Sequence, residues 1–153
     1  YFGNLGSGAA KFASSTNPTG DTTETIAHTL AISTNAPSGY TVTIRGDTLT
    51  SQQNPSNTIT AMGAVFASST VGTEQFGLRA TVAGGTGATV DATYSAATSY
   101  GFDASSTTPS AFASGTGVTP TSTLALRYLA NIAAITEAGT YAANLVYVAT
   151  ANF

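Results

Sequence analysis

The sequence predicts an all-β domain, an antiparallel β-sandwich or jelly roll of about seven to nine strands preceded by an extended N-terminal strand. Three observations predict this fold class. Apolar and polar residues alternate with a period of two in several segments. Turn residues recur at a spacing of roughly 8–12 residues. Thr, Val, Tyr and Ile, which suit strands, are abundant, and no segment has the pattern of an amphipathic helix. A closed barrel is the second architecture that fits this pattern.

Residues 1–13 are predicted to be a structural unit separate from the domain formed by residues 14–153. The segment is too short to fold alone and too apolar to remain free in water. We therefore expect it to dock on a sheet edge or groove, in its own domain or in a neighbouring copy. The chain has no initiator methionine, which favours cleavage from a longer precursor. The large apolar residues of this segment are Tyr1, Phe2, Leu5 and Phe12.

Two strands are predicted at the start of the domain. Alternation over residues 24–35 predicts the first, the turn residues 36–39 follow, and alternation over residues 40–45 predicts the second. Because the connection is short and the inward faces match, the two strands are expected to form a hairpin. The residues predicted to face inward are Ile26, His28, Leu30, Ile32, Tyr40, Val42 and Ile44.

The middle of the chain alternates less regularly. Residues 51–57 are predicted to be a loop, 58–62 a short strand, and 63–72 are ambiguous. A clear strand starts at residue 75 and ends at the glycines of residues 84–87. Its inward residues are Phe76, Leu78, Ala80 and Val82, and Arg79 is expected to face outward. The aromatic anchors of residues 88–103 are Tyr94, Tyr100 and Phe102.

The last third of the chain begins with a long loop over residues 104–120, which includes one short strand around Phe112. A strand with Leu124, Leu126 and Tyr128 inward follows, and Arg127 is expected to face outward. The final strand starts at residues 138–139, and both of its faces are partly apolar, so coverage on both sides is expected. Its inward residues are Tyr141, Ala143, Leu145 and Tyr147.

The chain carries very little charge. Charged residues make up 7% of it, against about 25% in typical soluble domains. This composition is typical of a secreted or surface protein, and it permits close self-association. Net charge is −3 with four basic residues, so the basic stripe of a nucleic-acid binder is absent. No run of 18 apolar residues predicts a membrane span.

The residues that carry chemistry are few and scattered. With no Cys and one His, a Cys/His metal site is excluded. The weak candidates for Ca²⁺ binding through converging loops are Asp47, Asp91 and Asp103, which are otherwise solvated loop acids. His28 is interpreted as a packed, hydrogen-bonded residue. No nucleophile, paired carboxylate or cofactor motif is present, so the sequence predicts neither an enzyme nor a cofactor.

Three stretches carry a family resemblance: residues 33–44, residues 72–78, and residues 128–141 continuing through 145–153. Together they resemble a group of secreted β-sandwich surface proteins that are widespread in small-genome bacteria. This resemblance implies an exported, cell-surface protein. By architecture the chain is also similar to TasA/camelysin-like fibre formers and to archaeal bundling pilins. That likeness implies polymerisation by donation of an N-terminal strand, and no catalytic residue follows from either.

Two functions are expected from these observations. The first is a structural subunit of an extracellular filament or pilus, a homopolymer in which residues 1–13 insert into the sheet of the next copy. The acceptor edge would contain Tyr141, Leu145, Tyr147 and Phe153. The second is an adhesive or glycan-binding module at the cell surface. Its binding surface would be formed by Tyr94, Tyr100 and Phe102.

Overall fold

The structure, a computed structural model, describes all residues 1–153, and strands are its regular secondary structure. Twelve strands are present, more than the seven to nine predicted, and three of them contain two residues each. They are β1 (Lys11–Phe12), β2 (His28–Thr34), β3 (Tyr40–Arg45), β4 (Thr50–Ser51), β5 (Gly63–Ala67), β6 (Gln75–Gly84), β7 (Ala88–Val90), β8 (Tyr100–Phe102), β9 (Ser110–Gly115), β10 (Thr119–Asn131), β11 (Tyr141–Ala142) and β12 (Val146–Ala151). All pairs of these strands are antiparallel and no sheet closes, which confirms the all-β class.

The first sheet is built around β10, which is thirteen residues long. Its strand order is β1-β10-β6-β8-β5, and β2 also pairs with β10. On one side β10 pairs with β6 over Thr123–Asn131. On the other side β2 pairs with Thr119–Leu126, and β1 pairs with Leu129 and Ala130. The N-terminal segment therefore occupies the part of β10 that β2 leaves uncovered.

The second sheet has the order β12-β3-β9-β7, and β4 and β11 form a separate two-stranded pair. Strand β3 pairs with β12 along its whole length and with β9 on its other side. β12 is thus an edge strand of this sheet. The predicted last strand is present in two pieces, β11 and β12, which are separated by residues 143–145.

A single hydrophobic cluster joins the two sheets. Strand β3 contributes alternate residues, as predicted, and β6, β9 and β10 contribute large side chains that are fully buried. Burial of each such side chain stabilises the fold by about 1.5–3 kcal/mol. The large residues at the centre of this cluster are Tyr40, Val42, Ile44, Phe76, Leu78, Phe112, Leu124 and Leu126.

The predicted hairpin of the first two strands is wrong. β2 pairs with β10 in the first sheet, whereas β3 lies in the second sheet. The turn at Gly39 carries the chain from one sheet to the other. Gly39 has a positive φ of 84°, and a Cβ there would lie 1.9 Å from the Gly115 carbonyl oxygen. Matched inward faces therefore reflect a shared core and not strand pairing.

The predicted outward positions of Arg79 and Arg127 are also wrong. Consecutive residues of β6 and β10 are buried, so both faces of these strands are covered. The stretch before β2 covers the outer face and brings Glu24 to both arginines. Because residues 24–27 form this cover, the strand begins at His28, and Ile26 is 44% exposed instead of facing the core.

Candidate functional site

An apolar groove of about 1240 Å³ lies between the N-terminal segment and the stretch that leads into β12. Fifteen of the 25 residues that line it are hydrophobic. Residues predicted as donor and residues predicted as acceptor both line this groove. They are Tyr1, Phe2 and Leu5 from the donor set, and Tyr141, Leu145 and Tyr147 from the acceptor set.

Two of the predicted site residues lie elsewhere. Phe12 packs against Tyr100, with 6.2 Å between ring centroids, and does not line the groove. Phe153 is 87% exposed and also lies outside it. The groove therefore combines six of the eight residues that the sequence singles out.

The N-terminal segment lies against its own domain in this structure. Beyond the two residues of β1, the Ala13 amide donates to the Tyr128 carbonyl at 3.1 Å. The Tyr1 and Ser14 backbones exchange two hydrogen bonds of 2.8 and 2.9 Å. The ring of Phe2 meets Phe76 edge-on, at 6.4 Å between centroids. Phe12 and Asp21 also exchange two backbone hydrogen bonds of 2.8 and 3.0 Å, so the end of the segment pairs both with β10 and with the stretch that follows it.

A chain of hydrogen bonds crosses the groove and connects three strands. Nε2 of His28 in β2 lies 2.7 Å from the hydroxyl of Tyr128 in β10. The Tyr128 hydroxyl lies 2.7 Å from the hydroxyl of Tyr147 in β12. The His28 ring also stacks on Tyr128 and meets the edge of Tyr147. This His28–Tyr128–Tyr147 chain ties the two sheets together at the groove.

The pKa values of these three groups favour their neutral forms. Burial raises the pKa of Tyr128 to about 12, although the hydrogen bond with Tyr147 acts in the opposite direction. Burial raises the pKa of Tyr147 still further. Partial burial lowers the pKa of His28 and outweighs a hydrogen bond with the Thr29 backbone. At this chain of hydrogen bonds the groove thus offers neutral aromatic rings and hydroxyls, and Glu137 contributes a carboxylate elsewhere in its lining.

Two unpaired strand edges flank the groove. β2 has β10 as its sole strand partner, and β12 has β3 as its sole strand partner. The contact between the His28 and Tyr147 rings, at 6.2 Å between centroids, shows that these two edge strands face each other at the groove. Val146 and Val148 are 44% and 43% exposed on β12. Free N–H and C=O groups at such an edge can pair with a strand from another chain.

A charged cluster anchors the stretch that joins the N-terminal segment to β2. Arg79 Nε donates to Glu24 Oε2 at 2.7 Å, and Arg127 Nε lies 3.2 Å from Glu24 Oε1. The Tyr100 hydroxyl also donates to Glu24. Burial acts to raise the pKa of Glu24, but these hydrogen bonds and the two positive charges outweigh it and lower that pKa. Arg79 and Arg127 are direct cross-strand partners, so Glu24 relieves their mutual repulsion.

Sequence reasoning missed this cluster. Glu24 precedes β2 by four residues, in a stretch where the alternation pattern predicts strand. A signal was present: Arg79 and Arg127 are two of only four basic residues and lie in two strongly apolar strands. Two arginines that are both buried require a nearby carboxylate to neutralise their charge.

Two of the three predicted calcium ligands bind backbone amides. Asp47 Oδ1 accepts from the Ser106 amide at 2.9 Å, and Asp91 Oδ1 accepts from the Thr93 amide at 3.0 Å. No group of three or more His, Cys, Asp or Glu residues that could hold a metal ion is present. Asp47 therefore links two loops that are distant in sequence, and Asp91 stabilises its own turn.

The aromatic residues expected to form a glycan-binding surface are buried. Tyr94, Tyr100 and Phe102 have at most 3% of their surface exposed. Tyr94 packs against Phe112, and Phe102 packs against Phe76. These three side chains belong to the core, so the prediction that they form a binding surface is wrong.

Searches with models of known protein families, with curated protein sequences and with solved structures found no match to this chain. The family resemblances carried by the three sequence stretches and by the architecture therefore stay expectations. The structure contains no helix with the length and apolar character needed to cross a bilayer.

Proposed function

We propose that this chain is a structural subunit of an extracellular homopolymer, in which residues 1–13 of one copy fill the apolar groove of the next. The observation that carries the proposal is the shared groove. Tyr1, Phe2 and Leu5 line it together with Tyr141, Leu145 and Tyr147, and Tyr147 belongs to β12, which has one unpaired edge.

The proposed architecture is a β-sandwich or jelly roll that is open along one side. The two sheets share one hydrophobic cluster, and the β2 and β12 edges meet at the groove. One further strand along β12 would continue the second sheet and cover the exposed Val146 and Val148. A neighbour's N-terminal segment has the required length and apolar residues.

Transfer of the N-terminal segment from its own domain to a neighbouring copy replaces its contacts with equivalent ones. Phe2 and Leu5 pack on the core of their own domain and would meet the same core surface in a neighbour. The packing and the short pairing with β10 that the segment gives up on release are thus restored in the next copy, and pairing along β12 adds to them. Because such a head-to-tail contact joins two different surfaces, repetition produces an open filament. The scarcity of charge keeps repulsion between copies small.

Cysteine cross-linking tests this arrangement directly, because the chain contains no cysteine. We expect Leu5→Cys protein mixed with Leu145→Cys protein to form a disulfide-linked heterodimer under mild oxidation. Leu5→Cys mixed with Val118→Cys is the control, since Val118 is exposed and lies outside the groove. Equal heterodimer yields in the two mixtures would contradict strand donation.

Electron microscopy and a deletion supply the second test. The purified chain is expected to form regular fibres, and the chain lacking residues 1–12 is expected to form none and to be unable to join those of the full chain. Dispersed particles, together with cross-links within single chains of a Leu5→Cys/Leu145→Cys variant, would favour the alternative of a monomeric adhesive module.

A further inference from the structure

Strand β5 is an exposed edge that does not line the groove. It lies at the end of the first sheet opposite β1 and β2, and it pairs only with β8, through Gly63 and Ala67. Its other side has no strand partner. The four residues after Gly63 are exposed, and Val65 and Phe66 are 81% and 47% exposed.

The exposed side chains of β5 lie on both faces of the strand. Successive residues of a strand point to opposite sides, so Val65 and Phe66 project in opposite directions. A partner that covered one face of the sheet would bury one of them and leave the other in water. A strand that adds to the edge brings its own side chains beside both.

The edge lacks the charges with which proteins usually prevent such pairing. No charged residue occurs from Thr48 to Thr73, and β8 itself carries none. Edge strands are ordinarily protected by Lys or other charges, by Pro or by a distorting bulge. Strand β5 contains no charged residue and no Pro, and of these features it has only an irregular register between Gly63 and Ala67. An uncharged partner strand is therefore the occupant that this edge accepts.

We propose that β5 is a lateral contact surface, and that its occupant is β5 of a second copy, paired antiparallel about a two-fold axis through Val65. In this register Val65 faces its own symmetry mate, and Phe66 lies opposite Ala64 of the other copy. The large exposed ring then packs beside a small exposed residue, and symmetry repeats that contact. The strand is thus complementary to itself.

This contact differs from strand donation in geometry and in strength. It joins identical surfaces and closes on two copies, whereas strand donation joins different surfaces and does not close. A five-residue edge buries less area than a standard interface, so the isolated contact is weak. Along a polymer the contact repeats, and the many weak contacts between two polymers strengthen their association through multivalency. The inference does not depend on the proposed function, because free chains can pair in the same way.

The matched variants Val65→Lys and Val118→Lys test the proposal. Each replaces one exposed valine and adds one positive charge, and Val118 lies in a bend outside the edge strands. In sedimentation of the full chain over a concentration series, we expect Val65→Lys to weaken pairing by about tenfold or more, because like charges then meet across the axis. Val118→Lys should associate as the wild type does. Equal association of the two variants would overturn the proposal.

Cross-linking identifies the contact even where assembly is dominated by fibres. Val65→Cys is expected to form a disulfide-linked homodimer much faster than Val118→Cys. In micrographs, fibres of Val65→Lys should remain single where wild-type fibres lie side by side. A Val65→Cys homodimer that forms no faster than the control, or preferential cross-linking of Val65→Cys to Leu5→Cys, would show that a second β5 is not the occupant.

Discussion

Single residues decide how the N-terminal part of the chain is attached. Glu24 is the clearest case, because its carboxylate lies between two arginines that face each other across β6 and β10. A buried pair of like charges is unfavourable unless an opposite charge neutralises it. Glu24 thus stabilises the sheet and fixes the point where the leading stretch of the chain joins the domain.

Replacing Glu24→Gln is expected to lower the free energy of unfolding by about 2–3 kcal/mol, because charge-assisted hydrogen bonds to Arg79 are weakened and the arginines repel each other. The measurement is urea unfolding at neutral pH. Asp103→Asn is the control, since Asp103 is exposed. Similar losses in the two variants would contradict a specific role for Glu24.

The same residue predicts a dependence of stability on pH. The pKa of Glu24 is lowered in the folded protein, so its contribution is present above the unfolded value of about 4.5 and is lost as the pH falls through the folded value. We expect the wild type to lose stability below about pH 4.5 more steeply than Glu24→Gln. Unfolding curves at a series of acidic pH values measure this difference, and parallel pH profiles would exclude it.

Tyr128 is the central residue of the chain of hydrogen bonds in the groove. Tyr128→Phe removes both bonds and leaves the Tyr147 hydroxyl without its partner, so we expect a loss of about 1–3 kcal/mol in unfolding free energy. Tyr141→Phe is the control, because its hydroxyl donates to the Glu137 carbonyl at an exposed site. Denaturant unfolding of the wild type and the two variants gives their unfolding free energies. An equal loss in both variants would argue against a stabilising role for the His28–Tyr128–Tyr147 hydrogen bonds.

At the scale of elements, alternation predicts which residues are buried better than it predicts which strands pair. Tyr40, Val42 and Ile44 face the core as expected, because a period of two depends on the strand alone. The partner of each strand depends on contacts that are distant in sequence, and the expected hairpin is absent for that reason. The burial of Arg79 likewise depends on a covering stretch some 55 residues away.

The groove could be predicted only in part for the same reason. The apolar character of Tyr1, Phe2 and Leu5 marks them for burial in any fold. Their position beside Tyr141 and Leu145 follows from the way β1 and β2 share one side of β10, which no local pattern specifies. Apolar character alone places Phe153 at the acceptor edge, yet it lies beyond the last paired residue of β12.

The turn between β2 and β3 supplies a test at this scale. Gly39→Ala is expected to destabilise the protein by more than about 1–2 kcal/mol, because it adds a backbone clash with Gly115 to the cost of a positive φ. Gly84→Ala is a matched control, since a Cβ there meets nothing within 4 Å. Thermal unfolding should separate the two variants, and similar midpoints would contradict the tight turn.

At the scale of the whole molecule, the low content of charged residues and the unpaired strand edges both favour self-association. β12 and β5 present apolar, uncharged edges on different sheets, and the proposed axial and lateral contacts use one each. Composition alone predicts close self-association, because the low content of charged residues can be counted without knowledge of the fold. Which edges remain open depends on the pairing of all strands, and only the structure shows it.

Assembly through such edges should depend little on ionic strength. Backbone pairing and apolar burial contribute most of the contact, and salt screens mainly interactions between charges. We expect the rate and extent of self-association, followed by light scattering, to change by less than about twofold between low and moderate NaCl. A steep decrease with salt would mean that ion pairs hold the copies together and would contradict both contacts.

The length of β10 has a consequence for the two ends of any such assembly. β2 stops at the residue opposite Leu126, so the last part of this long strand is covered only while a leading segment occupies it. In a filament of exchanged segments, one terminal copy would present a bare stretch of β10 and the other an unplaced arm. The fibre would therefore be polar, and a short peptide with the sequence of residues 1–13 would cap one end without affecting the other.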